Sequence, residues 1–219
     1  MKKTTILVSL VAAIATVNVA TAANSTASMS ITGKIVPPTC NISFNGGTSS
    51  SLTVGKINPA LLSEDNFSAL PALNASLSIS CPTASGVGFK ARDVAEGAGK
   101  TGITGMDMKE VFSLGKTPSG AAIGGYTVTM ESGTIDNSKI TNFLSSVSGQ
   151  SWDVMNAGAA LDPTSSTMYS WANSGQVPQM GRQHQINLKI QPFINATKQL
   201  STGDAIELNG QATYDLVYL

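Results

Sequence analysis

The chain has 219 residues, 42% of them hydrophobic and only 12% charged, with 13 Lys+Arg set against 13 Asp+Glu. Soluble domains average about 25% charged residues, and the even balance here excludes a nucleic-acid binder working through a basic face and gives no support to polybasic membrane binding. Ser and Thr together number 49 and Gly 21, a weighting towards strands and turns.

Lys2 and Lys3 precede an apolar run from Ile6 to Val19, and Ala20-Thr21-Ala22 follows with small residues where a signal peptidase reads. Residues 1–22 are therefore expected to be a cleavable secretory signal. The run is broken by Ser9, Thr16 and Asn18 and falls short of the roughly 20 apolar residues of a bilayer-spanning helix. No later stretch reaches that length, so the expectation is an exported chain without a membrane span once the signal is removed. Residues 23–33 read as an N-terminal extension, and 34–219 as one β-rich domain. In an oxidising compartment Cys40 and Cys81, the only two cysteines and 41 positions apart, are most simply a disulfide. Closing that loop stabilises by about 4 kcal/mol in the chain-entropy model. No Cys-x-x-Cys exists and His184 is the single histidine, so neither a metal nor another cofactor is expected.

Along the domain the hydrophobic period is two. Leu73, Ala75, Leu77, Ile79 and Cys81 alternate with Asn74, Ser76, Ser78 and Ser80, predicting a strand with one buried and one wet face. The pattern recurs at 126–130, 186–190 and 212–218, with glycine or proline clusters between, notably Gly86 to Gly88 and Gly120 to Gly125. Residues 59–73 have room for one short turn. Short strands and many turns predict an all-β antiparallel sandwich. Residues 145–185, rich in Ser, Gly, Asn and Gln with little periodicity, read as a long loop insertion.

Catalytic templates fail in turn. Gly99-Lys100-Thr101 and Gly115-Lys116-Thr117 lack the upstream glycine of a phosphate loop, since Val94 and Glu110 stand there, and both read as turns. There is no Gly-x-Ser-x-Gly, and His184 sits among Arg182, Gln183 and Gln185 as a solvated loop residue. The carboxylate pairs Asp107/Glu110, Glu64/Asp65 and Asp204/Glu207 lie in turn-like or strand-end contexts, and no enzyme activity is expected. Ligand binding has one candidate. Trp152, Tyr169 and Trp171 fall within twenty residues of one another, flanked by Gln150, Asp153, Asn156, Asn173 and Gln176, the mix of aromatic platform and hydrogen-bonding groups that a glycan site uses. The alternative is that the rings plug the core; their exposure decides.

Ile31-Thr32-Gly33-Lys34-Ile35-Val36-Pro37-Pro38-Thr39-Cys40, the strand into Cys81 and the terminal Tyr218-Leu219 resemble subunits of chaperone–usher pili. Phe89-Lys90-Ala91-Arg92-Asp93, Phe112 to Thr117, Ile123 to Tyr126 and Ile206 to Gly210 are similar to recurring segments of an enterobacterial family of fimbrial-like exported proteins of unknown function. The resemblance covers nearly all of the chain after the signal. It implies an immunoglobulin-like sandwich of pilin type whose disulfide joins the first two strands. It also implies a sheet that lacks its last strand, completed first by a periplasmic chaperone and then, at the usher, by another fimbrial subunit. Ala212, Tyr214, Leu216 and Tyr218 would then edge the groove, and Ala27, Met29 and Ile31 would be the anchors of the donated strand. The alternative is that the terminal strand completes its own sandwich. Ile206 stands where pilin terminal strands carry glycine, and the length exceeds that of a major pilin, which points to a minor, accessory or stand-alone fimbrial-like subunit; the alternative, from the aromatic cluster, is a stand-alone periplasmic or surface β-sandwich that binds a glycan receptor or other ligand.

Overall fold

The structure is a computed structural model that describes residues 28–35, 39–95, 108–200 and 205–219. The expected signal (1–22), the Ala27 anchor and Gly99-Lys100-Thr101 lie outside the described residues. The chain divides into two compact units, residues 1–36 and 37–219. In the first, residues 28–35 form no regular secondary structure, and Met29, Ile31 and Ile35 are 84%, 88% and 99% exposed.

The second unit is an all-β sandwich of two antiparallel sheets closed by one disulfide, Cys40–Cys81. The first sheet contains β1 (Asn41–Phe44), β2 (Ser68–Ala69), β3 (Leu73–Ser85), β5 (Phe112–Ser113), β6 (Gly124–Ile135), β7 (Ser138–Lys139) and β11 (Gly181–Ile194). Its main order is β1-β3-β11-β6-β5, with β2 on β11 and β7 on β6. The second sheet, built from β4 (Val87–Asp93), β8 (Asn142–Ser146), β9 (Asp153–Val154), β10 (Thr164–Ala172) and β12 (Ala212–Tyr218), runs β12-β4-β10-β8-β9. The outermost strands are thus β1 with four residues, β5 and β9 with two each, and β12 with seven. Among the described residues no helix is long and apolar enough to cross a membrane.

Strand alternation explains most of this. In β3 the expected residues Ala75, Leu77, Ile79 and Cys81 are buried, and in β11 His184, Ile186, Leu188 and Ile190 point inwards while Gln183, Gln185, Asn187 and Lys189 face solvent. In β6 the buried parity changes midway. Tyr126, Val128 and Met130 face the core, Glu131 is an extra residue opposite the Asn187/Leu188 step, and beyond this bulge Gly133 and Ile135 take over the inward face. A strand expected only over 126–130 therefore runs from 124 to 135. The 59–73 stretch holds one short 3-10 turn, Pro59–Leu61, with the Asn58 side chain accepting from Ala60 N–H at 3.1 Å.

Two expectations are corrected. Residues 145–185 are not a loop insertion, because β10 runs through them between β4 and β8 and both of its faces are covered from Met168 to Ala172. Burial on both sides removes the polar alternation that marks a strand in sequence. Ser170, polar and fully buried, donates its hydroxyl to Val87 C=O at 2.8 Å and so pays no desolvation penalty. Nor do all the glycine clusters mark turns. Gly88 lies inside β4, where a Cβ would stand 2.3 Å from Tyr169 O, and Gly124 and Gly125 open β6 against Phe193 O and Val111. These glycines let neighbouring backbones approach closely, a role that sequence alone does not separate from turn formation.

Candidate functional site: an open seam along the sandwich

The two sheets share a core that includes Leu77, Phe89, Trp171 and Ile186. On one side that core is only half covered. Among the described residues β12 is paired to β4 on one edge and to no strand on the other. From Ile206 through Leu208, Ala212, Tyr214 and Leu216 the chain turns alternate apolar side chains inward, all half-buried against the core. The facing wall is the stretch from β1 onward, where Ile42, Phe44, Val54, Ile57 and Leu62 are half-buried in the same way. Among the described residues nothing covers this line of half-buried side chains fully, which makes it the candidate place for a partner.

Within this seam lies a groove of about 730 Å³ between residues 51–57 and 205–209, with Ile194, Leu62 and Leu200 at its base. Residues 51–57 and 205–208 make no hydrogen bond to another described residue. Only Asn209, through its N–H to Leu114 O at 3.0 Å, and Gln211, accepting from Val94 N–H at 2.9 Å, fix the start of β12 to the body. The groove thus has an apolar floor and two walls whose backbone donors and acceptors over 51–57 and 205–208 bond to no other described residue, groups that an added strand could satisfy. One charge from each wall, Lys56 and Glu207, lines it as well.

The expected terminal-strand residues are found on this edge. Ala212, Tyr214 and Leu216 are half-buried, and burial pushes the Tyr214 phenol above its ordinary value. Tyr218 is 44% exposed and its hydroxyl accepts from Cys40 N–H at 2.8 Å. The Tyr214 ring lies 4.6 Å from Phe44 and 5.6 Å from Phe89. Val54, Ile57 and Leu62, the opposite wall, were not singled out by the sequence; a short apolar run without strand alternation, broken by Gly55, gave no signal.

The aromatic platform does not form. Trp171 is fully buried and Tyr169 nearly so, both against Phe89, at centroid distances of 6.2 and 5.6 Å. Tyr169 additionally ties down the preceding loop, its hydroxyl accepting from Asp162 N–H at 2.6 Å, and burial pushes its phenol up to about 12. The rings sit in the core because they belong to β10, the strand that reads as a loop. Trp152 alone is half-exposed, in the loop between β8 and β9.

His184 is likewise a core residue, not a solvated one. It lies on the inward face of β11, 1% exposed, and its polar neighbours Gln183 and Gln185 are the outward positions of the same strand. Nδ1 accepts from Trp171 Nε1–H at 3.0 Å, which places the ring proton on Nε2, donating to Gly181 O at 3.0 Å. Burial lowers its pKa from the ordinary 6.5, against smaller opposing contributions from the Gly181 hydrogen bond, Asp136 and Ser85. Asp136, held by Gln183 and Arg182 N–H groups, is itself lowered and stays ionised near neutrality. The unfolded chain therefore binds more protons below about pH 6.5, and stability present above that pH is lost as pH falls towards the folded pKa. A lower urea midpoint at about pH 5 than at about pH 7.5, with the difference removed in His184→Gln, is the expected result.

A comparison with protein-family models finds no match, and neither does one with curated proteins.

Proposed function

We propose that the chain is a fimbrial-like structural or accessory subunit, exported to the periplasm or cell surface and assembled or escorted by β-strand donation of the chaperone–usher type, where it contributes to adhesion. The observation that carries this reading is the groove between residues 51–57 and 205–209: an apolar floor lies between two walls, and the hydrogen-bonding groups of 51–57 and 205–208 have no partner among the described residues. The resemblance to pilus subunits supplies the mechanism, with an immunoglobulin-like sandwich taking its last strand first from a chaperone and then from a neighbouring subunit. Residues 28–35 suit the donor role. Met29, Ile31 and Ile35 fall on one face of an extended segment, with Gly33 between the last two, and are almost fully exposed.

The test is thermal unfolding of the oxidised chain with and without excess peptide of residues 23–37. A ligand that binds only the folded state at about 100 times its Kd adds roughly 2.7 kcal/mol, which for a chain of this size raises the midpoint by roughly 5–10 °C. A midpoint indifferent to saturating peptide would mean the sandwich needs no donated strand and would remove the subunit reading.

A further inference from the structure

The two halves of the seam differ. Between 51–57 and 205–209 the walls stand apart with the groove between them. Between β1 and the end of β12 they are already bridged: Phe44 packs on Tyr214 at 4.6 Å, and Tyr218 Oη accepts from Cys40 N–H at 2.8 Å. The contacts pair 40 with 218 and 44 with 214, so β1 and β12 run in opposite directions along the seam, and the open groove is the continuation of the same channel. Both ends of the bridge are anchored. Cys40 is held to β3 by its disulfide, Tyr214 packs on buried Phe89, and the Leu219 N–H donates to Gly86 O at 3.0 Å.

We propose that Phe44, Tyr214 and Tyr218 form an internal closure that admits an incoming strand only to the open half, and so set the length and register of the strand this protein accepts. The inference rests on the strand-donation reading. The occupant it defines is a short extended peptide with apolar residues at alternate positions, about five to seven residues at roughly 3.3 Å each, matching the five residues of the 205–209 wall and the seven of 51–57. A longer strand gains nothing unless it displaces the Phe44–Tyr214 pair. That displacement forfeits an aromatic contact between half-buried rings and the hydrogen bond to Cys40 N–H, which offsets the added backbone pairing.

Peptides of residues 27–33 and 23–37, titrated against the oxidised chain, separate the possibilities. On the unaltered protein the two should bind within about threefold of each other, whereas in Tyr214→Leu or Phe44→Ala the longer peptide should gain roughly tenfold or more over the shorter, about 1.4 kcal/mol. Hydrogen exchange on the unaltered protein, which depends on no variant folding, reads the same closure directly. With the longer peptide bound, amides of 51–57 and 205–209 should slow, and the amides of β12 that do not bond to β4 should not. A longer peptide that binds the unaltered protein more than tenfold better than the shorter, or that protects the outward amides of β12, overturns the closure and leaves strand donation standing. No binding by either peptide overturns strand donation, and the closure with it.

Discussion

Replacing Trp171 with alanine is expected to cost about 3–5 kcal/mol, the range for deleting a large buried aromatic side chain. The ring is completely buried beside Phe89 on β10, a strand paired on both sides, so its surroundings can relax only partly into the vacated volume. A polar loss adds to the cavity. Without the indole N–H, His184 Nδ1 becomes a buried acceptor with no donor, which costs about 1–3 kcal/mol where water cannot reach it. Trp171→Phe separates the two contributions by restoring most of the volume and none of the hydrogen bond, so it should fall between wild type and Trp171→Ala. Urea unfolding of the three proteins at one pH measures this. A loss below about 1 kcal/mol for the alanine variant would contradict the core position and reopen a surface role for the ring.

Breaking the disulfide is the second large effect. Cys81 is buried on β3, and Cys40 immediately precedes β1, a strand held by only four residue pairs, Asn41 to Phe44 against Ser80 to Leu77. The covalent link closes a 41-residue separation, worth about 4 kcal/mol as restriction of the unfolded chain. Two such alanine replacements, Cys40→Ala with Cys81→Ala, should therefore lower stability by about that amount in denaturant titrations. Because β1 is an edge strand with so few partners, its amides should also exchange faster than those of β3, and the shared measurement distinguishes local release of β1 from uniform weakening.

How much of this was legible depended on burial. Strand β3 was readable because one of its faces is wet, so apolar and serine residues alternate over its length. The second half of β6 was not, since the extra residue Glu131 moves the buried set from even to odd positions and breaks the period. Strand β10 was hidden by burial on both faces. Ser170 there satisfies its hydroxyl on Val87 and so counts as polar in sequence while being core in the structure. The same ambiguity misplaced Trp171 and His184, which satisfy each other's nitrogens inside the sandwich. The terminal edge was legible through the alternation of Ala212, Tyr214 and Leu216, but its opposite wall was not. Residues 51–57 carry no periodic signal, because they belong to no strand and no sheet imposes a period of two on them.

The lengths of the outermost strands bear on how the protein behaves in concentrated solution. Strands β1, β5 and β9 have four, two and two residues, and rims that short offer little template for an unrelated chain. Seven-residue β12 is longer but is bridged by Phe44 and Tyr218, so the open template is the backbone of 51–57 and 205–208 beside half-covered apolar side chains. Productive folding is first order in chain concentration, whereas rim-to-rim capture between two molecules is second order. Refolding yield is therefore expected to rise on dilution, and to rise further with excess peptide of residues 23–37 if this open stretch is where molecules capture one another.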